Sequence, residues 1–365
     1  MSTRTRPPLP AALGVAALAA VLLALLVPLF AAPAINLAPR DLPVAVAGPA
    51  PAAGDLAARL AAARPGAFDV TTLPDGAAAD RALRERQVYA AFVVGPDGVA
   101  LHTAPAASPT VAALLTEASA QLSAGRPVPV VAVVPGAPDD PRGAGFAAGF
   151  LPFAMASMAA GALLILLVTG RVARLFGLAA FGVLAGGVAA AVLHGWLGVL
   201  DGDPLAEAAA AGLFALASAA TVAGLGALLG RAGIGLGALL VFLVGNPLSA
   251  VGAAPELLPQ PWGAVGQFLP VGAGGTLLRS VTFFDGAGAG RPLAVLAGYA
   301  LVGLLLVAVS RRPAGPAVAR PSGPADVPVA GPSRPDGGAA QPSHPDGATA
   351  GAPRRAGSRA ATDTT

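Results

Sequence analysis

Three histidines, no cysteine and a scatter of isolated arginines are what this 365-residue chain offers for chemistry in or beside its apolar stretches. Without cysteine there is no disulfide, no thiolate nucleophile and no thiolate metal site. His194 stands next to Trp196 at the outer end of an apolar run. No second histidine or carboxylate follows at metal-ligand spacing, so an interfacial anchor is the plainer role. His102 and His344 are alone, one in a strand and one in a polar tail. Gly272-Ala-Gly-Gly-Thr276 has a phosphate-loop look but lacks the lysine and the flanking spacing of that motif, and a flexible apolar hinge suits it better. Arg279 is a single charge in an apolar loop, fitted to snorkel toward headgroups or to make one ion pair. No arrangement of nucleophile, base and orienting acid emerges, so nothing in the spacing supports hydrolysis.

The elements that would carry these residues are dominated by apolar runs. Hydrophobic residues make up 55% of the chain and charged ones only 11%. Six runs reach the length of about 20 residues that a helix needs to cross the hydrocarbon. They lie at 9–31, 146–169, 175–199, 208–230, 232–250 and 292–310, and none contains Asp, Glu, Lys or Arg. Ion-driven transporters expose ionisable groups at membrane depth, and these spans offer none, so transport work would draw on a separate protein. The fifth run is short and ends at Asn246-Pro247, where a break or tilt is expected. Gly182-xxx-Gly186, Gly226-xxx-Gly230 and Gly233-xxx-Gly237 would let helices approach closely.

Every basic residue is Arg, and the arginines set an orientation. Arg4 and Arg6 precede the first span, Arg171 and Arg174 separate the second from the third, Arg231 separates the fourth from the fifth, and Arg311 and Arg312 follow the sixth. By the positive-inside rule both ends lie in the cytoplasm of a plasma-membrane protein. Ala32-Pro33-Ala34 has the look of a signal cleavage site, but the run before it is too long for a signal core, so the first span is expected to be retained.

The expected fold is therefore a polytopic α-helical membrane protein of six spans with a small α/β extracytoplasmic domain between spans 1 and 2. Residues 1–32 hold the N-terminus and first span, and 33–145 the outer domain. In that domain Leu42–Ala47, Phe68–Leu73, Val88–Val94, Val99–His102 and Val128–Val134 read as strands. Gly54–Ala63, Ala77–Gln87 and Pro109–Ser123 read as helices, and Pro129 puts the last strand at an edge or marks its very start. Residues 146–312 form the five-span bundle, with a second outer loop at 251–291 read as short re-entrant or amphipathic helices. Residues 313–365, rich in Pro, Gly and Ala, read as a disordered cytoplasmic tail. A net charge of +3 shows no polyanion-binding stripe, so no nucleic-acid partner is expected.

One span, a large outer segment and then five spans resembles the ABC-2 type exporter permeases, and more closely their YhgE/Pip-like branch. Leu269-Pro270-Val271-Gly272, then Leu277-Leu278-Arg279, then Phe283-Phe284-Asp285-Gly286 looks like that family's late signature. The resemblance implies a permease-like subunit without catalytic groups or cofactors, paired as a homodimer or heterodimer in the bilayer. It would work with a separate ABC ATPase on an amphipathic or lipid-like substrate. It also implies that the loop between spans 2 and 3 docks on the ATPase, which gives Arg171, Arg174 and Phe176 as candidate docking residues. The other reading of the branch is a non-transporting envelope receptor or secretion scaffold.

Overall fold

Apolar alternation broken by Gly and Pro gives the first third of the chain its strands and short helices. Uninterrupted apolar runs make most of the rest helical. The computed structural model describes residues 9–122 and 128–310. Arg4, Arg6, Arg311, Arg312 and the tail expected at 313–365 lie outside the described residues. In chain order the elements are α1 (Leu9–Ile35), β1 (Leu42–Ala47), α2 (Ala50–Ala63), β2 (Phe68–Leu73), α3 (Gly76–Arg84), β3 (Ala90–Gly95), β4 (Gly98–Thr103), α4 (Pro109–Leu122) and β5 (Val130–Ala132). Then come α5 (Ala144–Leu167), α6 (Arg171–Ala190), α7 (Pro204–Leu229), α8 (Arg231–Ala238), α9 (Gly245–Leu248), α10 (Trp262–Gly266), α11 (Pro270–Phe283) and α12 (Gly290–Val309).

Among the described residues six helical stretches are long and apolar enough to cross a membrane: Leu9–Pro33, Ala144–Leu167, Arg171–Trp196, Pro204–Leu229, Arg231–Leu248 and Gly290–Val309. This is the build of a membrane-embedded protein. The third continues α6 through a π-turn at Ala191–Trp196. The fifth joins α8 to α9 through a π-turn at Leu239–Val244, one turn before the Asn246-Pro247 break expected from the sequence. Pro247 has no N–H for the Leu243 carbonyl and its ring crowds that oxygen, so the preceding turn widens.

The helix α7 is the axis of the bundle, with 61% of its apolar window buried. Small residues make this possible. A Cβ on Gly186 of α6 would fall against the Ala208 carbonyl, and one on Gly303 of α12 against Ala220. Both neighbours are α7 backbone, which cannot yield. Gly303→Val is expected to cost about 1–3 kcal/mol, the usual penalty of overpacking, and to lower the thermal midpoint of detergent-purified protein. Gly187→Val, where a Cβ meets open space, should leave it unchanged.

The strands form one mixed sheet in the order β2-β1-β3-β4-β5. The pairs β2/β1, β1/β3 and β4/β5 are parallel and β3/β4 antiparallel. The period of two sorts its side chains. Leu42, Val44 and Val46 share one core with Leu60 of α2 and Leu115 of α4, while Ala45 and Ala47 share another with Ala79 and Leu83 of α3. The sheet packs with the bundle as parts of one compact unit.

Candidate functional site: a charged clasp between sheet and bundle

The stretch between α9 and α12 holds the sheet from both faces. Ala254 and Leu257 enter the core beneath α2 and α4, and Phe284 enters the core beneath α3. Hydrogen bonds to the loop's backbone carbonyls seal one side: Ala38 N–H donates to Leu257 O (3.0 Å), Arg40 N–H to Glu256 O (3.0 Å) and the Thr110 hydroxyl to Gly252 O (3.0 Å). The Arg40 guanidinium adds a bond to Leu257 O at 2.8 Å.

Inside the clasp lies a group of buried charges. Arg279, on α11, is only 6% exposed. Its Nη2 donates to Val251 O at 2.7 Å, and its guanidinium lies 4.5 Å over the Phe146 ring. Burial, with the nearby Arg86 cation, pushes its pKa down to about 10, and Tyr89 and Asp140 oppose the shift. It therefore stays charged at neutral pH. The void beside it is about 10 Å³, room for no more than one water. Asp140 closes the same void and accepts from Phe146 N–H at 2.8 Å, holding the first turn of α5.

Arg86 reaches in from the sheet side. Its Nη1 donates to the Ser280 hydroxyl (2.7 Å) and to Thr276 O (3.2 Å), and its guanidinium lies 5.0 Å over the Phe284 ring. Its backbone is left-handed, with φ 58°, just past the end of α3. Glycine is the usual residue at that place, and a larger one costs roughly 1–2 kcal/mol. The strain places a guanidinium on α11. Burial lowers its pKa while Tyr89 and Glu256 work against that. Tyr89 donates to Glu256 Oε2 at 2.9 Å. Burial first, then the Glu256 carboxylate, raise the phenol's pKa well above its usual range.

The structure thus gathers most of the outer-loop residues singled out in the sequence. Leu269 and Pro270 open α11, and Gly272 packs where a side chain would strike Gly266 O. Arg279 and Phe284 are buried, and Phe283 is half-buried. Two expectations need correcting. Arg279 does not snorkel: it is enclosed, because a backbone carbonyl and an aromatic face replace its water. Nor is Gly272–Thr276 a hinge: it lies within α11, and its glycines let that helix press against Gly266, Phe214 and Val251. An enclosed guanidinium cannot meet a substrate, so the chemistry here is attachment.

A buried acid and a half-buried histidine meet at the same end of the bundle. Glu207 is 0% exposed. Its Oε1 accepts from Gly202 N–H at 2.8 Å and its Oε2 lies 2.9 Å from His194 Nδ1. The view that no span holds an ionisable group is corrected here: Glu207 lies in the first turn of α7, Arg171 and Arg174 in that of α6, Arg231 opens the fifth stretch and Arg291 is the second residue of α12. The signal was present: Asp203 followed by Pro204 is a cap and first-turn pair, and Asp203 accepts from Ala206 N–H at 2.7 Å. Starting the span there would have included Glu207. Arg86 and the Tyr89–Glu256 pair were missed outright, as no local pattern marks them.

At the opposite end, Arg171 donates to Ala308 O (3.1 Å), and Arg174 to Val168 O (2.8 Å) and Ile165 O (2.9 Å). These are carbonyls at the C-terminal ends of α12 and α5, which need donors. Phe176 is 75% exposed. The arginines and the phenylalanine thus have separate surroundings. No protein-family model, no curated protein and no solved structure matches this chain.

Proposed function

We propose that this chain is the membrane subunit of an ABC-2 type exporter, moving an amphipathic or lipid-like substrate with a separate ATPase. In this reading it lies in the plasma membrane as a dimer, with both termini cytoplasmic and the sheet outside. The observation that carries it is the build between the last two spans. Instead of a short turn, the chain there folds α10 and α11 back onto the bundle, with Leu269, Pro270, Gly272, Arg279, Phe283 and Phe284 holding that fold together. The orientation is supported by Arg171 and Arg174, which lie at the end of the bundle away from the sheet. Phe176, exposed beside them, is the residue that would enter an apolar cleft on the ATPase.

One observation favours the alternative, a receptor or secretion scaffold. The guanidinium groups of Arg171 and Arg174 are already bound to the chain's own carbonyls. The test is recovery of an ATPase with the full chain from native membranes in mild detergent. The exporter reading expects an ATPase to co-purify, and Phe176→Ala to weaken that recovery while leaving the fold intact. If the wild-type chain brings down no ATPase, the exporter reading falls and the scaffold stands. If one is recovered and Phe176→Ala changes neither recovery nor ATP hydrolysis, the docking site lies elsewhere.

A further inference from the structure

On the α3 face, outside the sealed clasp, two clefts of about 340 and 530 Å³ adjoin and share Arg84, Phe284 and Asp285. Both volumes fall within the range of small-molecule sites, about 300–1,000 Å³. The walls of the first are apolar, from Val133, Pro135 and Phe283, and Asp201 closes its bundle side. Arg81 joins Arg84 in the second. None of these four charged side chains makes a hydrogen bond or ion pair with another described residue. The other acids nearby are engaged: Asp80 lies 2.6 Å from His102 Nδ1, and Glu85 accepts from Gln87 Nε2 at 2.7 Å. Two guanidiniums from the sheet side and two carboxylates from the bundle side thus have no partner among the described residues, while Asp80 and Glu85 add their carboxylates to the wall of the second cleft. A lining with both signs and a surplus of carboxylates fits a zwitterion and disfavours a net anion.

Position identifies the source. Asp201 stands three residues before α7 and Asp285 five residues before α12, both at span ends. Trp196, which ends the neighbouring span, is 79% exposed, as suits a ring at the headgroup level. We propose that this double cleft binds a phosphoethanolamine headgroup of a membrane phospholipid. The phosphate would meet Arg84 and Arg81, and the ammonium would meet Asp201 and Asp285. The proposal needs only membrane residence and stands whether the chain exports or scaffolds.

The test uses the full chain in nanodiscs of phosphatidylethanolamine and phosphatidylglycerol at equal fractions. After transfer to detergent, the retained lipid is measured by native mass spectrometry. The wild type should retain phosphatidylethanolamine preferentially. Arg84→Gln should lower that retention about fivefold, the effect of losing one partly screened charge contact, and Arg84→Lys should restore it. Asp201→Asn with Asp285→Asn should abolish the preference over phosphatidylglycerol. Arg59→Gln, on an exposed face of α2, serves as the control and should change nothing. Free phosphoethanolamine at millimolar concentration should not displace the lipid. Retention matching the bulk composition, or a preference that survives the Arg84 and double Asp substitutions, overturns the proposal. Displacement by the free headgroup overturns its lipid source.

Discussion

Arg279→Ala is expected to lower the thermal unfolding midpoint of the purified protein by roughly 6–12 °C, read by tryptophan fluorescence, at the 2–4 °C per kcal/mol usual for a chain of this order of size. The substitution removes a charge-assisted bond to Val251 O, worth about 1.5–3 kcal/mol. It also removes a desolvated cation–π contact with Phe146, worth about 2 kcal/mol. Against this, the desolvation cost of the charge is recovered. The void decides the balance. Only about 10 Å³ is free around the side chain, so the alanine variant opens a cavity that a packed site fills poorly. A net loss of about 3 kcal/mol follows. Arg279→Lys should recover little, because an ammonium cannot lie flat over Phe146 while reaching Val251 O. Arg279→Met separates volume from charge: stability equal to wild type would show that only the space matters. An unchanged midpoint for Arg279→Ala would remove the residue from the clasp.

Glu207→Ala should be nearly as damaging, at about 3 kcal/mol, because it strands Gly202 N–H and His194 Nδ1 together. Glu207→Gln keeps an acceptor for Gly202 and sets a neutral amide against His194 Nδ1 in place of a carboxylate, so about 1–2 kcal/mol is expected there. The decisive measurement is a double-mutant cycle. His194→Ala should cost less in the Glu207→Ala background than in the wild type, with a coupling of about 1–2 kcal/mol. Strict additivity would mean that the pair is a neighbourly contact without energetic content.

Local pattern was enough for elements whose limits are chemical. Strand β1 spans Leu42–Ala47 and β2 Phe68–Leu73, the bounds expected from alternation between turn residues. Helix α4 begins at Pro109, which supplies the fixed φ of a first turn. Strand β5 starts directly after Pro129 and is an edge strand. Small shifts have similar causes. Helix α2 begins at Ala50 rather than Gly54, because Pro51 is tolerated in a first turn. The burial of Arg279 was hidden for a different reason. Hydropathy windows average over neighbours in sequence, whereas Arg86 and Ser280 are 194 residues apart. A lone arginine in an apolar loop looks the same whether its partner is a headgroup or a distant carbonyl.

The clasp also sets an order of assembly. Arg40 bonds to Leu257, 217 residues later in the chain. At a synthesis rate of about 5–20 residues per second, that separation corresponds to roughly 10–40 s. All five strands exist early, yet neither face of the sheet is closed until residues 252–287 arrive, after four further spans have been made. Closing contacts so far apart in sequence makes docking late and slow. Meanwhile the patches later covered by Leu257 and Phe284 stay open to any apolar surface nearby. A nascent chain arrested before Gly252 is thus a half-covered sheet on an anchor, and the fold's last third serves as the lid that ends its exposure to misassembly.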